Sequence, residues 1–285
     1  MSSALIVGCG YVGCALARVL HEGGWRVGAV VRSERSAHRI KVSLPELEVF
    51  HGDVAETDFW NHIPLGFEDL IYCPSTGGGG VEAYRALHET GLGHALNYWK
   101  GRRLIYTSST SVYSQNDGSW VDEDSPAEPE AETAQCLRSA EEIVCKRGGV
   151  VLRLGGLYGP ERGVLWKRLL DGTAVIPEVD PKWLNLIHRD DAVSAIEWAL
   201  QNKPTGVYNT VDNEPASYRQ IYQWLCGESG LMMPMVGQPD YLGRRGINNR
   251  RISNRKVRSA GWSPRYPSFR EGYAREIAQW KSQRG

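Results

Sequence analysis

The stretch LIVGCGYVG, residues 5–13, constrains the fold of this chain more than any other. A short apolar run passes into three glycines, Gly8, Gly10 and Gly13, and then into the helical pattern YVGCALARVL. At this spacing each glycine has its own task. Gly8 allows a tight turn off a strand, Gly10 lets backbone approach a pyrophosphate, and Gly13 lets helix and strand pack closely. The helix that begins at Tyr11 and Val12 offers backbone N–H groups and the positive end of its dipole to phosphates. RVGAVV at 26–31 supplies the next strand, so the glycines lie inside a strand–turn–helix–strand unit.

The alternation continues along the chain. A helical pattern covers 33–42, LEVFHGD (47–53) and LIYCPS (70–75) read as strands, and 80–99 reads as one long helix. RLIYTSS (103–109), a helix over 133–147 and GVVLRLGG (149–156) complete the series. Strands joined by helical crossovers must run parallel, so the expected fold is α/β, a doubly wound parallel sheet of the Rossmann kind. Regularity falls after Gly156. The chain divides into a dinucleotide-binding domain, 1–155, and a smaller C-terminal cap, 156–285, whose later segments such as GVYNTVD (206–212) are candidates to return to the sheet.

The end of the second strand selects the cofactor. NAD binders place Asp or Glu there to accept from the ribose 2′-hydroxyl. Here the strand ends in Arg32 and Ser33. A carboxylate would repel a 2′-phosphate, whereas a guanidinium forks onto it. NADP is therefore favoured, with NAD as the alternative; Glu34 stands close enough to serve a ribose.

Lys+Arg and Asp+Glu both total 33, so nothing in the charge calls for nucleic acid or an anionic membrane surface. No apolar run reaches the roughly 18 residues of a membrane span. The six cysteines form no C-x-x-C pair and no zinc spacing, which points to no metal and to reduced, buried thiols in a cytoplasmic protein. GRRGINNRRISNRKVR (243–258) fits either a diphosphate grip or a solvated face. No signature of oligomeric state is present.

The row YTSSTSVYS, 106–114, ends the fifth strand in consecutive hydroxyls. Taken in order, GCGYVG, HGD (51–53), YTSSTSVY, LRLGGLYGPER and LIHRDDA resemble the extended and atypical short-chain dehydrogenase/reductases, in particular NAD(P)-dependent nucleotide-sugar epimerases and dehydratases. The resemblance implies that Asp53 and Val54 lie beside adenine. It implies that Cys73, Pro74 and Ser75 follow the ribose and nicotinamide, and that Thr107 and Ser108 line the cofactor. Ser109 matches the position that polarises a substrate carbonyl or hydroxyl. Tyr158 and Arg162 of the YGP turn, with Asn185, His188 and Arg189, match segments that meet a small-molecule substrate.

One part of the pattern is missing. The family's chemistry uses Tyr-x-x-x-Lys on a helix face, where lysine lowers the tyrosine pKa. Aligned on Glu141, those positions hold Thr133 and Leu137, and none of the chain's lysines has a tyrosine four residues upstream. Tyr113 is the nearest candidate acid in sequence, although that position is usually structural in the family. His188 has the reference pKa of a base. Two readings stand: an oxidoreductase or epimerase-like enzyme acting on a small polar keto or hydroxy metabolite, such as a nucleotide-sugar, or a non-catalytic NADP(H)-binding sensor or assembly protein.

Overall fold

The computed structural model describes residues 2–101, 103–178, 182–238 and 249–283. Its contacts separate into two compact units. The first comprises 1–112, 127–153 and 193–208, and the second 113–126, 154–192 and 209–285.

The first unit is built on the seven-stranded sheet. Its early strands are β1 (Ser3–Val7), β2 (Arg26–Val31), β3 (Glu48–His51), β4 (Asp69–Tyr72) and β5 (Arg103–Ser109). The order across the sheet is β3, β2, β1, β4, β5, then strand Val150–Leu154 and strand Gly206–Thr210. All four pairings among β1 to β5 are parallel. This is the doubly wound Rossmann arrangement expected from the alternating pattern. β1 and β4 are buried along their whole length because helices cover both faces, which is why they read as unbroken apolar runs. The order reverses between β1 and β4, and such sheets receive ligands beyond the carboxyl ends of strands at that switch.

At the opposite strand ends, buried Asp69 is gripped by both arms of Arg103, its register partner, while Arg103 also donates to the Leu200 carbonyl. The helix expected over 80–99 is interrupted. Val81–Arg85 and Leu92–Tyr98 are α-helical, but Ala86–Gly91 forms a wide π turn. There the Tyr72 hydroxyl donates to the Leu87 carbonyl at 2.5 Å. A tertiary bond of this kind leaves no mark in hydrophobic periodicity.

The second unit packs Tyr158, Trp166, Tyr218, Tyr222, Phe269 and Tyr273 into its own core. Two capping boxes start its longest helices. Ser217 with Gln220 opens Tyr218–Ser229, and Ser268 with Glu271 opens Phe269–Ser282. Its strands are short, including the parallel pairs Gly156–Tyr158 with Leu186–His188 and Trp120–Val121 with Arg251–Ile252.

Candidate functional site

The glycine turn follows directly from the register of β1. Val7 pairs with Val30 on one side and Tyr72 on the other. Gly8 is thus delivered between two neighbouring strand ends. Its N–H donates to the Val30 carbonyl at 3.1 Å and its φ is 94°. A Cβ at Gly8 would lie 2.4 Å from Pro74 Cα, and one at Gly13 would lie 2.5 Å from the Gly8 carbonyl oxygen. Both glycines are demanded by backbone packing. Gly10 differs: a Cβ there would meet only the Gly8 oxygen, at 4.0 Å. Packing does not require that glycine, and the side it faces is open, as a pyrophosphate needs. Tyr11 and Val12 begin helix α1 (Tyr11–Glu22) with Gly10 as its cap. The chain's own residues therefore fit a dinucleotide phosphate.

Around this turn lie the other residues assigned to the cofactor. Arg32 and Ser33 are exposed directly after β2; Ser33 caps helix α2 (Glu34–Ser43) by accepting from the Ser36 N–H at 3.3 Å. Asp53 accepts from the Ala55 N–H at 2.9 Å, and the Val54 carbonyl accepts from the Trp60 indole at 2.9 Å. Cys73 is tied to β1 by its N–H to the Val7 carbonyl, 2.8 Å. Pro74 is half-buried, and exposed Ser75 accepts from the Gly77 N–H at 3.3 Å.

The hydroxyl row is split by the pleat of β5, since successive side chains point to opposite faces. Ser108 faces inward and donates to Glu141 Oε1 at 2.6 Å. Glu141 is fully buried and receives Arg153 through Nε–Oε1, 2.9 Å, and NH2–Oε2, 2.6 Å. Thr107 and Ser109 take the other face. Thr107 is buried, and Ser109, at the strand's last position, is half-buried and accepts from the Ser111 N–H at 3.1 Å. Helix Glu132–Lys146 carries half-buried Thr133 and buried Leu137. On the Ser108 face, the Tyr106 hydroxyl lies 2.9 Å from His88 Nδ1, and burial pulls His88 down to about 4.

The remaining candidates belong to the second unit. Tyr113 is fully buried, its hydroxyl 2.8 Å from the Asp122 carbonyl and 2.9 Å from Asn209 Oδ1. One phenolic proton cannot serve two acceptors. An Asn209 amide turned to present Nδ2, which otherwise has no partner, satisfies both groups. Tyr158 is buried, with its hydroxyl 3.3 Å from the Ser268 carbonyl and its pKa raised by burial. Its ring meets His188 edge-on at 5.4 Å. Arg162 is exposed on a turn closed by its N–H to the Gly159 carbonyl, 2.9 Å. Asn185 holds backbone on both sides, donating to the Arg250 carbonyl at 3.0 Å and accepting from the Ile252 N–H at 2.7 Å. Arg189 bonds Asp190 at 2.9 Å.

His188 Nδ1 accepts from the Asp190 N–H at 3.2 Å, which leaves the proton on Nε2. Burial draws its pKa down to about 4, so the ring is neutral at pH 7 and is a donor rather than a well-tuned base. Its face lies on Tyr266, centroids 3.8 Å apart. Buried Asp191 fixes that contact by accepting from the Arg265 and Tyr266 N–H groups at 2.7 and 3.1 Å. In the arginine-rich segment, 243–248 lies outside the described residues. Arg250 is buried there and Arg251 stacks over Trp120 and Trp183.

Comparison with known proteins now decides the class. A model of the NAD dependent epimerase/dehydratase family matches residues 4–210. The chain belongs to that family. This epimerase/dehydratase family member is 30% identical over 200 residues to the 3-diazoavenalumate denitrifying reductase of a Streptomyces species. That match takes in 61% of this chain and 65% of the relative, a little under two thirds of the relative's own length. It is 26% identical over 246 residues to protein YeeZ of Escherichia coli K12, covering 82% of this chain and 86% of YeeZ. Its fold superposes on Thermus thermophilus UDP-glucose 4-epimerase in complex with NAD with a TM-score of 0.79 at 18% identity, covering 99% of each chain. Among the described residues, no helix of this family member is long and apolar enough to cross a membrane.

The motifs named above give no role to the Glu141–Arg153 pair or to His88. The signals were present. Glu141 falls on the buried stripe that Leu137, Ala140 and Val144 define on one helix, and Arg153 stands alone in the apolar run VVLRL.

Proposed function

We propose that this family member binds NADP(H) and transfers hydride to or from a small polar keto or hydroxy compound. The observation that carries the dinucleotide reading is the contrast among the three glycines. Gly8 and Gly13 are packed against backbone, while Gly10 is left open toward the approach side. Arg32 supports a 2′-phosphate, because it stands exposed at the end of β2 and the first carboxylate after the strand, Glu34, already lies in α2. The reductase name of the Streptomyces relative supports reductive use, and the likeness to a UDP-glucose epimerase supports a nucleotide-sugar or similarly polar substrate. When bound, the nicotinamide supplies the hydride position.

In this reading the backbone of 8–13 orients the pyrophosphate, and Cys73 to Ser75 with Thr107 line the dinucleotide. Ser109 holds the reacting oxygen. The protein stays in the cytoplasm. One observation favours the second reading, a non-catalytic sensor: buried Leu137 occupies the lysine position of the resembling enzymes, and half-buried Thr133 the tyrosine position. The experiment that separates the two follows nicotinamide absorbance with NADPH and a panel of keto and imine compounds. Turnover that Ser109→Ala abolishes establishes the enzyme. NADPH binding without turnover across the panel establishes the sensor.

A further inference from the structure

Three thiols surround the glycine turn. Cys9 sits between Gly8 and Gly10, buried, with its N–H donating to the Val30 carbonyl at 3.0 Å. Cys14 lies in the first turns of α1, half-buried, with its N–H donating to the Gly10 carbonyl at 2.9 Å. Their sulfurs are 3.6 Å apart, and the Cys14 S–H donates to the Cys9 carbonyl at 2.9 Å. A disulfide bond is about 2.05 Å long, so the two sulfurs need to close by roughly 1.5 Å. The third thiol, Cys73, has its sulfur 3.5 Å from the Gly8 carbonyl oxygen.

The three are not chemically alike. Cys14 is pulled down to about 7, chiefly because the Cys9 S–H donates to its sulfur; burial opposes this, and Arg39 and Arg18 add to it. Burial pushes Cys73 up to about 12, and Cys9 is held well above the ordinary thiol range by Cys14 and by burial. The thiolate is the form that reacts with oxidants. Half-buried Cys14 is the sulfur a peroxide can reach, attacking once its proton leaves, and buried Cys9 is the neighbour 3.6 Å away.

We propose that Cys14 and Cys9 form a peroxide-oxidisable dithiol that closes to a disulfide across the dinucleotide-binding turn. In the first step the Cys14 thiolate attacks a peroxide oxygen. The O–O bond breaks, a sulfenic acid forms, and hydroxide leaves to become water with one proton. In the second step the Cys9 sulfur, losing its proton, attacks the Cys14 sulfur. The S–O bond breaks and a second water leaves. Two thiols lose two electrons and two protons, and the peroxide gains them. The bridge draws Cys9 toward the helix, while Gly8 is held between Val30 and Pro74. The strain therefore falls on Gly10, the residue left open for phosphate.

The chemical step stands apart from the proposed function, whereas its effect on cofactor binding rests on that reading. The full-length reduced protein is treated with stoichiometric hydrogen peroxide, alkylated, digested without reductant and mapped by mass spectrometry. The expected result is a Cys9–Cys14 linked peptide that dithiothreitol removes and Cys14→Ser abolishes. In Cys9→Ser the expected product is a dimedone-trapped sulfenic acid at Cys14. Both cysteines alkylated after treatment, or a bridge involving Cys73 instead, overturns the proposal. Fluorescence titration with NADPH then compares the two states. Binding weaker by on the order of tenfold in the bridged form, restored by dithiothreitol, is expected. Equal affinity overturns control of the turn. Absence of NADPH binding in the reduced protein overturns the proposed function and leaves the mapped bridge standing.

Discussion

The Ser108 hydroxyl donates to Glu141 at 2.6 Å, and this bond divides a row of hydroxyls that looks uniform in sequence. Ser108 is committed to the interior, where it completes the shell of a buried ion pair. Ser109, one residue on, is turned to the other face, where it accepts from the Ser111 N–H at 3.1 Å.

The ion pair gives a stability prediction. Removing Arg153 leaves buried Glu141 with the partly exposed Arg138 guanidinium, 3.4 Å away, in place of its bidentate partner, so Arg153→Met is expected to cost about 3 kcal/mol. Glu141→Leu combined with Arg153→Met is expected to cost less than Arg153→Met alone, because no charge is left uncompensated. Denaturant unfolding of the two variants checks this; a double variant worse than the single one refutes it.

The glycines separate folding from binding. Gly8→Ala and Gly13→Ala push a methyl into backbone at 2.4 and 2.5 Å, and each is expected to destabilise by about 1–3 kcal/mol or more. Gly10→Ala is expected to cost less than about 1 kcal/mol of stability while weakening dinucleotide binding. Melting temperatures set beside titrations distinguish these cases, and equal destabilisation at all three positions refutes the distinction.

Cofactor choice is tested at Arg32. A charge-assisted contact to a 2′-phosphate contributes about 1.5–3 kcal/mol, so Arg32→Ala should weaken NADPH by roughly tenfold to a hundredfold and leave NADH nearly unchanged. Equal losses for both dinucleotides remove the 2′-phosphate assignment.

Acid lability is expected from two buried histidines. His88 and His188 are both drawn down to about 4, by burial. An unfolded histidine takes its proton near pH 6.5, so between 6.5 and about 4 the unfolded chain binds more protons. Stability from these rings is complete above that window and falls as pH drops through it, by at most about 3 kcal/mol each. Buried Asp191, raised to about 6 by desolvation, works in the opposite direction. His88→Gln should therefore flatten the difference between urea midpoints at pH 7 and pH 4.5. An unchanged pH dependence in the variant shows that His88 does not titrate in this range.

The sheet was legible because its information is local. Apolar runs, glycines and helical periodicity each lie within a few residues, and the bounds of α1, β2 and β5 follow from them directly. What was not legible depends on partners far apart in sequence. Nothing in YTSSTSVYS tells Ser108 from Ser109 until strand pleat and Glu141, more than thirty residues away, are known. His188 has an ordinary reference pKa in isolation. Burial, the Tyr266 ring and the Asp190 backbone make it a neutral donor. Arg250 and Asn185 look like ligand-binding residues by type, yet the Asn185 amide is engaged with backbone and Arg250 is buried.

The wide turn at Ala86–Gly91 acts as a phase shift in a periodic object. An α-helix advances about 100° per residue, so one surplus residue rotates everything after it by that angle without breaking the rod. Leu92, Ala95 and Leu96 owe their inward facing to that offset. Regular α winding of the same residues would swing this apolar edge toward water, whereas removing a single residue from the turn would restore regular winding and leave the edge facing inward. The irregular turn is thus the local cost that keeps Leu92, Ala95 and Leu96 facing inward.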